Sequence, residues 1–257
     1  MIAIDLSGKV ALVVGGSRGI GAGIVHTLCR AGAGVVFTHT GDRRHGDRLK
    51  EFLARIQEEG GWAKAVALDA RDAAGAKRLA DEMVEERGGI DILVHNVGRN
   101  VPRLAEDVPD EEWAESLHIN LTSAFYAVRA VLPHMLKVQR GRIILIGSSA
   151  AYDGGGGAIG YAAAKASLNG MMLYLARNYA RKGILTNVVH PCVIDTDLLR
   201  ERYATEESRK ELTSQIPVGR LGTPVDIAGL VAYLASSWGD YICGQAILVD
   251  GGRTLWR

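Results

Sequence analysis

Three side chains of this sequence have the types and the spacing to move a proton onto a carbonyl oxygen. Tyr161 and Lys165 stand four residues apart, which places them on one face of a helix, and Ser148 lies thirteen residues before Tyr161, directly after an apolar run. A free tyrosine has a pKa of ~10, and a nearby ammonium group favours the tyrosinate and lowers that pKa. A serine hydroxyl can hold and polarise a substrate oxygen as charge develops there. The set predicts interconversion of a ketone and an alcohol, with Tyr161 as general acid in reduction and general base in oxidation.

A glycine-rich turn is the second signal. The sequence GGSRGIG at residues 15–21 follows the apolar run Val10–Val14 and precedes a helical pattern. Strand, glycine turn and helix form the setting of a dinucleotide site, since small residues let a pyrophosphate approach the helix N-terminus, where free N–H groups and the helix dipole favour anions. The alternative is a tight turn that serves only strand–helix packing. The predicted contacts from this turn are Gly15, Ser17, Arg18, Gly19, Ile20 and Gly21.

The rest of the chain alternates between short apolar runs and amphipathic helical patterns. Continuous rather than alternating apolarity indicates strands buried on both faces, as in a parallel sheet. The apolar runs cover 9–16, 34–40, 63–69, 91–98, 141–147, 185–191 and 245–252. The helical patterns cover 19–31, 47–59, 72–87, 111–138 and 161–182. We expect an α/β fold with a doubly wound parallel sheet of seven strands; a (β/α)8 barrel competes, but it needs an eighth unit and a C-terminal helix.

Length, charge and cysteine spacing exclude several classes of protein. The 257 residues hold 30 Lys and Arg against 29 Asp and Glu, a balance that argues against a nucleic-acid-binding protein. The longest apolar stretch near the start has five residues, far fewer than the ~20 of a membrane-spanning helix, and the first ten residues carry no signal-peptide core. Cys29, Cys192 and Cys243 lie far apart, which favours a reducing cytoplasm. No histidine pair has the spacing of metal ligands, so we expect no metal, and we expect one domain over residues 1–257.

These motifs resemble the classical short-chain dehydrogenase/reductase family over about residues 7–252. That family has a Gly-x3-Gly-x-Gly turn, found here from Gly15, and a serine about thirteen residues before a Tyr-x3-Lys motif, found here as Ser148, Tyr161 and Lys165. The resemblance implies a three-layer Rossmann fold. The likeness is to 3-oxoacyl-acyl-carrier-protein reductases and to the sugar, polyol and ketone reductases near them.

The resemblance also implies roles within the site. Its spacing selects Ser148 over the adjacent Ser149. Lys165 would hold the nicotinamide ribose besides lowering the pKa of the tyrosine. Asn120, in the sequence HINLTSAF, matches the catalytic asparagine of the family and would position a water that links Lys165 to solvent. The alternative for Asn120 is a polar residue on a helix surface.

Further contacts to a nicotinamide dinucleotide follow from the same resemblance. Asp69 would contact adenine, with a plain strand-end cap as the alternative, and Thr196 would contact the carboxamide or a phosphate. Val14 stands where the family usually has Thr, which removes a hydrogen bond in the turn. Cys192 replaces a glycine; we expect a small buried filler, since no basic neighbour in the sequence lowers its thiol pKa. The full set of these contacts is Asp69, Ala70, Asn96, Val97, Gly98, Pro191, Cys192, Ile194 and Thr196.

The end of the second predicted strand bears on the choice between NADP(H) and NAD(H). NAD enzymes place an acidic residue there to bind the ribose 2′-OH, whereas this chain has Thr38, His39 and Thr40 and no carboxylate until Asp42. Guanidinium groups suit a 2′-phosphate by their planar, multi-donor geometry. The arginines near this position are Arg18, Arg43, Arg44 and Arg48. We predict NADP(H) as the preferred cofactor and keep NAD(H) as the alternative, because the family also uses such arginines with NAD.

The sequence predicts a small-molecule carbonyl or alcohol as the substrate, but it does not identify the compound. The resemblance places a mobile lid at about 195–215, within a catalytic and substrate half at about 148–257 that follows a cofactor half at about 1–147. The glycine run 154–157 is either a pocket rim or a plain loop. Four arginines would suit an anionic substrate or a carrier phosphate, although plain surface exposure is the commoner explanation for such residues; they are Arg99, Arg103, Arg200 and Arg202.

Family members usually form tetramers through helices that match 113–138 and 161–182, so we expect a homotetramer, with Trp256 buried at an interface. A non-catalytic protein that senses nicotinamide nucleotides is the alternative function, and the intact set of serine, tyrosine and lysine argues against it. A sugar-nucleotide epimerase of the extended branch of the family fits less well, because such chains usually carry a C-terminal substrate domain and a different glycine spacing.

Overall fold

Parallel strands form the centre of the computed structural model, which describes residues 4–42 and 46–255. Over these residues one sheet has seven strands in the order β3-β2-β1-β4-β5-β6-β7, all parallel. The strands are β1 Val10–Val14, β2 Gly34–His39, β3 Trp62–Ala67, β4 Ile92–His95, β5 Gly141–Ile146, β6 Ile184–Pro191 and β7 Ala246–Val249. The strand order reverses between β1 and β4, and ligands of doubly wound sheets bind in the crevice beyond the carboxyl ends of such strands.

Helices cover both faces of this sheet. They are α1 Gly19–Arg30, α2 Gly46–Glu58, α3 Ala73–Arg87, α4 Asp110–Leu117, α5 Ser123–Val138, α6 Ala150–Asp153, α7 Ile159–Tyr179, α8 Asp197–Arg202, α9 Glu206–Ser214 and α10 Pro224–Ala235. Among the helices of the described residues, none is both long enough and apolar enough to cross a bilayer.

Two hydrophobic cores sandwich the sheet. On one face α1 and α10 pack together, with Ile24 and Ile227 fully buried. On the other face α3, α5 and α7 bury Val131 and Leu168. Strands with a core on each side are mostly apolar on both faces, which explains the continuous runs of the central strands. The predicted doubly wound Rossmann fold, with all seven strands, is confirmed.

The sequence reasoning missed α10. Its start carries a strong signal, since Pro224 stands in the first turn and Thr223 and Asp226 form a capping box. The segment predicted as a mobile lid, 195–215, contains α8 and α9, whose N-termini are capped by Thr196 and Thr205.

The helix predicted over 111–138 is interrupted. Between α4 and α5 the residues His118–Thr122 form a π-helical turn. Single π turns inside helices are frequent at functional sites, because the extra residue redirects one side chain. Here the turn carries Asn120, which is completely buried, so the alternative of a helix-surface residue is wrong.

Candidate active site

The glycine turn is held by hydrogen bonds from two neighbouring strands. The Gly15 N–H donates to Thr38 Oγ1 at 3.1 Å, and the Gly15 carbonyl accepts from Asn96 Nδ2 at 2.9 Å. Gly15 has a φ of +82°, in the left-handed region that favours glycine. The Thr38 hydroxyl thus bonds within the turn, where Val14 has no hydroxyl to offer.

The N-terminus of α1 opens beside this turn and suits an anion. The first turn of α1 holds no acidic side chain, and no side chain caps the helix at Arg18. A Cβ on Gly19 would lie 3.3 Å from the methyl carbon of Thr196, so the segment after β6 faces the turn directly. The structure thereby brings predicted cofactor contacts from both halves of the chain together.

Tyr161 meets Ser148 at the carboxyl edge of β5. Burial raises the pKa of the Tyr161 phenol above its ordinary value of 10.0, and a hydrogen bond with Ser148 opposes that rise. The Ser148 hydroxyl also accepts from the Ala150 N–H at 3.2 Å. Ser149 is buried and turns the other way, toward Cys192, with its Oγ 3.2 Å from Sγ. The structure therefore places Ser148, not Ser149, against the tyrosine.

Lys165 is almost fully buried below Tyr161. Its ammonium nitrogen donates to the carbonyl oxygen of Ile146 at 2.8 Å and to that of Val97 at 3.2 Å. Burial lowers the pKa of Lys165 to about 8, since desolvation disfavours the charged form. The nitrogen lies 5.8 Å from the centre of the Tyr161 ring. In this structure the ammonium points to the two carbonyls, and the side chain that lowers the Tyr161 pKa against the effect of burial is Ser148.

Asn120 lies on the far side of Lys165. Its Oδ1 accepts from the Arg99 N–H at 2.9 Å, and its Nδ2 donates at 2.9 Å to each of the carbonyls of Arg99 and Ser116. A Cβ on Gly98 would lie 3.1 Å from this Oδ1 and 3.2 Å from the lysine nitrogen. Because Gly98 has no side chain, a small space remains between the side chains of Asn120 and Lys165.

Comparison with known proteins now decides the family. A family model described as Enoyl-(Acyl carrier protein) reductase matches residues 14–254. The 3-oxoacyl-[acyl-carrier-protein] reductase FabG of Escherichia coli K12 is 39% identical over 252 residues, which are 98% of this chain and 100% of the relative. The chain belongs to the short-chain dehydrogenase/reductase family. It is an oxidoreductase of that family.

Solved structures of short-chain dehydrogenases/reductases superpose closely. A dehydrogenase/reductase from Sinorhizobium meliloti 1021 is 36% identical with a TM-score of 0.88, covering 98% of this chain and 97% of its own. A protein from Beutenbergia cavernae, provisionally named NAD(P) dependent gluconate 5-dehydrogenase and holding NADP at low occupancy, is 35% identical with a TM-score of 0.90. It covers 99% of this chain and 100% of its own.

Asp69, the residue predicted to contact adenine, is already engaged within the chain. Asp69, half-exposed after β3, forms an ion pair with Arg71, whose other nitrogen pairs with Glu115 at 2.6 Å. Arg71 lowers the pKa of Asp69 to about 2. Ala70 is buried next to it. Asp69 therefore stays ionised, with part of its carboxylate already engaged.

The end of β2 carries no carboxylate. The Thr38 side chain is buried, while Thr40 is exposed. His39 Nδ1 accepts from the Gly41 N–H at 3.1 Å, which turns the imidazole back on its own chain. Arg43 and Arg44 lie outside the described residues, and Arg48 approaches Asp197 at 3.5 Å.

Cys192 differs from the expectation. Its thiol is partly exposed, and it lies 3.3 Å from Nη1 of Arg253, 61 residues later in the chain. The thiol is therefore not fully buried as expected, and its basic neighbour comes from far along the sequence, because the fold brings the C-terminal segment back across the end of β6. Ile194, two residues on, is buried and bridges to Gly222.

The glycine run after β5 and the candidate substrate arginines have neighbours within the chain. The glycine run 154–157 is tied to the opposite segment, since Gly157 O accepts from the Arg103 N–H at 2.8 Å and Gly156 O accepts from Asn100 Nδ2 at 2.9 Å. Two of the four candidate substrate arginines are neutralised by neighbours. Arg103 pairs with Glu112 at 3.0 Å and Arg200 with Asp195 at 2.8 Å.

Proposed function

We propose that this chain is an NADP(H)-dependent reductase that interconverts a ketone and a secondary alcohol, with a 3-oxoacyl thioester or a sugar or polyol as substrate. The observation that carries this proposal is the contact of Ser148 with a half-buried Tyr161 above the buried Lys165, at the sheet edge that also holds the glycine turn. No observation favours a nucleotide sensor without turnover.

The residues at the turn fit a nicotinamide dinucleotide. A Cβ on Gly15, Gly16 or Gly21 would collide with neighbouring protein atoms, so glycine keeps this turn tight. The N-terminus of α1 presents free N–H groups without a competing carboxylate. When bound, the reduced nicotinamide supplies a hydride to the carbonyl carbon. Asn96, Gly98 and Thr196 are the proposed contacts along its length, together with the contacts given above for the turn, the end of β3 and the segment after β6.

Tyr161 supplies the proton. The phenol, with an ordinary pKa of ~10, is protonated at neutral pH and can donate to the substrate oxygen, which the Ser148 hydroxyl holds and polarises. Lys165, with a pKa of about 8, carries a charge near neutrality and stabilises the phenolate left behind. Asn120 ties Arg99 to the end of α4 and is the proposed anchor of a water that returns the proton from solvent.

Turnover followed at 340 nm tests the proposal. NADPH and NADH are offered in parallel with β-ketoacyl thioesters, ketones and polyols. Oxidation of NADPH with one class of carbonyl supports the reductase and identifies the class. Tight binding of NADPH without turnover of any compound would favour the sensor instead.

The choice of NADP(H) rests on the lack of a carboxylate at the end of β2, and the NADP in the Beutenbergia cavernae structure supports it. We expect His39→Asp to lower the ratio of kcat/KM for NADPH to that for NADH by about 10- to 100-fold, because a carboxylate there repels a 2′-phosphate and accepts from a 2′-OH. Steady-state kinetics with both cofactors measure this ratio. His39→Asn, of similar size but uncharged, is the control and should leave the preference for NADPH in place. An unchanged ratio in His39→Asp would show that His39 does not face the ribose.

We also propose a homotetramer, located in the cytoplasm and built from one domain per chain. Three large apolar side chains on α5 and α7, Phe125, Leu173 and Tyr174, are 44%, 57% and 63% exposed. Light scattering on a sizing column should give four times the chain mass of 27.5 kDa, and a monomer mass would contradict the proposal. Trp256, proposed for the interface, lies outside the described residues.

A further inference from the structure

A histidine lies buried directly behind the catalytic serine. His190, on β6, has no exposed surface, and its ring crosses over Gly147. A Cβ on Gly147 would come within 2.5 Å of the imidazole Cε1, so the ring reaches the turn after β5 only because that residue is glycine. The edge of the ring packs at right angles against Tyr152 of α6, with 5.0 Å between ring centres.

The backbone of Ser148 depends on this ring for its hydrogen bond. The residues on either side continue the sheet, since Gly147 N–H donates to Val189 O at 2.7 Å and Ser149 N–H donates to Pro191 O at 2.8 Å. The Ser148 N–H between them lies 3.0 Å from Nδ1 of His190. The imidazole of His190 thus accepts the hydrogen bond of the Ser148 N–H, as backbone carbonyls of β6 accept those of Gly147 and Ser149.

Asn169 on α7 decides which imidazole nitrogen carries the hydrogen. Its Oδ1 accepts from Nε2 of His190 at 2.8 Å, which leaves the lone pair on Nδ1 free to accept from the Ser148 N–H. Nδ1 also lies 2.9 Å from the Ser148 carbonyl oxygen. A hydrogen on Nδ1, in the other tautomer or in the imidazolium, would bond to that carbonyl and release the N–H.

The surroundings keep the ring neutral. Burial lowers the pKa of His190, and the nearby Lys165 ammonium on α7 lowers it further, whereas the Ser148 carbonyl opposes this. Lys165 and the Tyr152 phenol are the titratable groups that face the ring from the helices packed against it.

We propose that His190, held as the Nε2–H tautomer by Asn169, is a positioning residue that fixes the backbone of Ser148 and thereby the place of the serine hydroxyl. The inference rests on the role proposed above for Ser148. It adds a buried pair, from β6 and α7, that acts through the serine without touching the substrate.

His190→Leu tests the positioning role. Without the acceptor the Ser148 turn shifts, and we expect kcat to fall about 10- to 100-fold while the Kd of NADPH stays within about twofold of the natural protein. His190→Asn should recover most of the loss, because an asparagine Oδ1 lies close to the position of the imidazole Nδ1. His134→Leu, on the outer part of α5, is the matched control and should leave kcat unchanged. Full activity in His190→Leu would overturn the proposal.

Asn169→Asp separates positioning from mere packing. A carboxylate at Nε2 stabilises the imidazolium and raises the His190 pKa, so the protonated form gains as pH falls and Ser148 loses its acceptor. We expect kcat of this variant to fall between about pH 8 and about pH 6, relative to the natural protein. Superimposable pH profiles would overturn the proposal.

A spectroscopic measurement can test the protonation state of His190 independently of turnover. Nitrogen-15 NMR of labelled histidine should show His190 as a neutral Nε2–H tautomer, whereas an Nδ1–H form or an imidazolium at neutral pH would overturn the proposal. If no carbonyl is reduced by the natural protein, the proposed function fails, and this spectrum still decides the state of His190.

Discussion

Tyr161→Phe should lower kcat by about a thousandfold and leave the Kd of NADPH within about twofold of the natural protein. The change removes one oxygen and keeps the ring that packs in the half-buried site. General acid catalysis contributes about 10²- to 10⁴-fold, and the neighbouring Ser148 hydroxyl is a poor substitute because its own proton is far less acidic. Steady-state kinetics at 340 nm give kcat, and calorimetric titration gives the Kd.

Tyr174→Phe is the matched control, since Tyr174 lies on the same helix and is 63% exposed. It should show the activity of the natural protein. If Tyr161→Phe instead retained more than about a tenth of that activity, another group would have to supply the proton.

Gly21→Ala should weaken NADPH binding at least about tenfold and lower the free energy of unfolding by about 3 kcal/mol. The added Cβ would overlap the Gly15 carbonyl oxygen and lie 2.7 Å from Asn96 Nδ2. These are the atoms of the hydrogen bond that holds the turn, and the Gly15 oxygen belongs to the backbone. The backbone must therefore move where the pyrophosphate is expected to approach. Calorimetry and urea unfolding measure the two effects.

Gly229→Ala gives the matched control for this substitution. Gly229 is exposed on α10, and a Cβ there would meet no atom within 4 Å. Alanine in a helix is favoured over glycine by about 1 kcal/mol, so this variant should be slightly more stable and bind NADPH as the natural protein does. Equal behaviour of the two variants would show that the turn tolerates a side chain.

The sequence predicted the strands well because they are mostly apolar. The strands β1, β2, β4, β5 and β6 are almost wholly buried between the two cores, whereas the edge strand β3 is partly exposed and carries Lys64. The sequence also predicted which residues approach one another at the sheet edge, since Ser148 follows β5 and Tyr161 lies early in α7. The π turn at Asn120 could not be predicted from the helical pattern of α4 and α5, because one added residue changes the apolar periodicity very little.

Other features depend on contacts that no local pattern contains. The Lys165 ammonium bonds to carbonyls at Val97 and Ile146, which lie 68 and 19 residues away. Arg253 reaches Cys192 only because the chain after β7 returns across the sheet edge. Such contacts arise from the path of the folded chain, so residue types and spacing could not reveal them.

The bracing of Gly15 from β2 and β4 has a consequence for how affinity arises. A turn whose N–H and carbonyl are both engaged has little conformational entropy left to lose when a ligand arrives. This entropy is lost during folding, so the turn is preorganised. Its ordering therefore lowers the stability of the folded protein rather than the affinity for the ligand. If the hydrogen bond from Thr38 or Asn96 to Gly15 is removed, this conformational entropy is lost on binding instead. Side chains that never touch the ligand thereby help to set its dissociation constant.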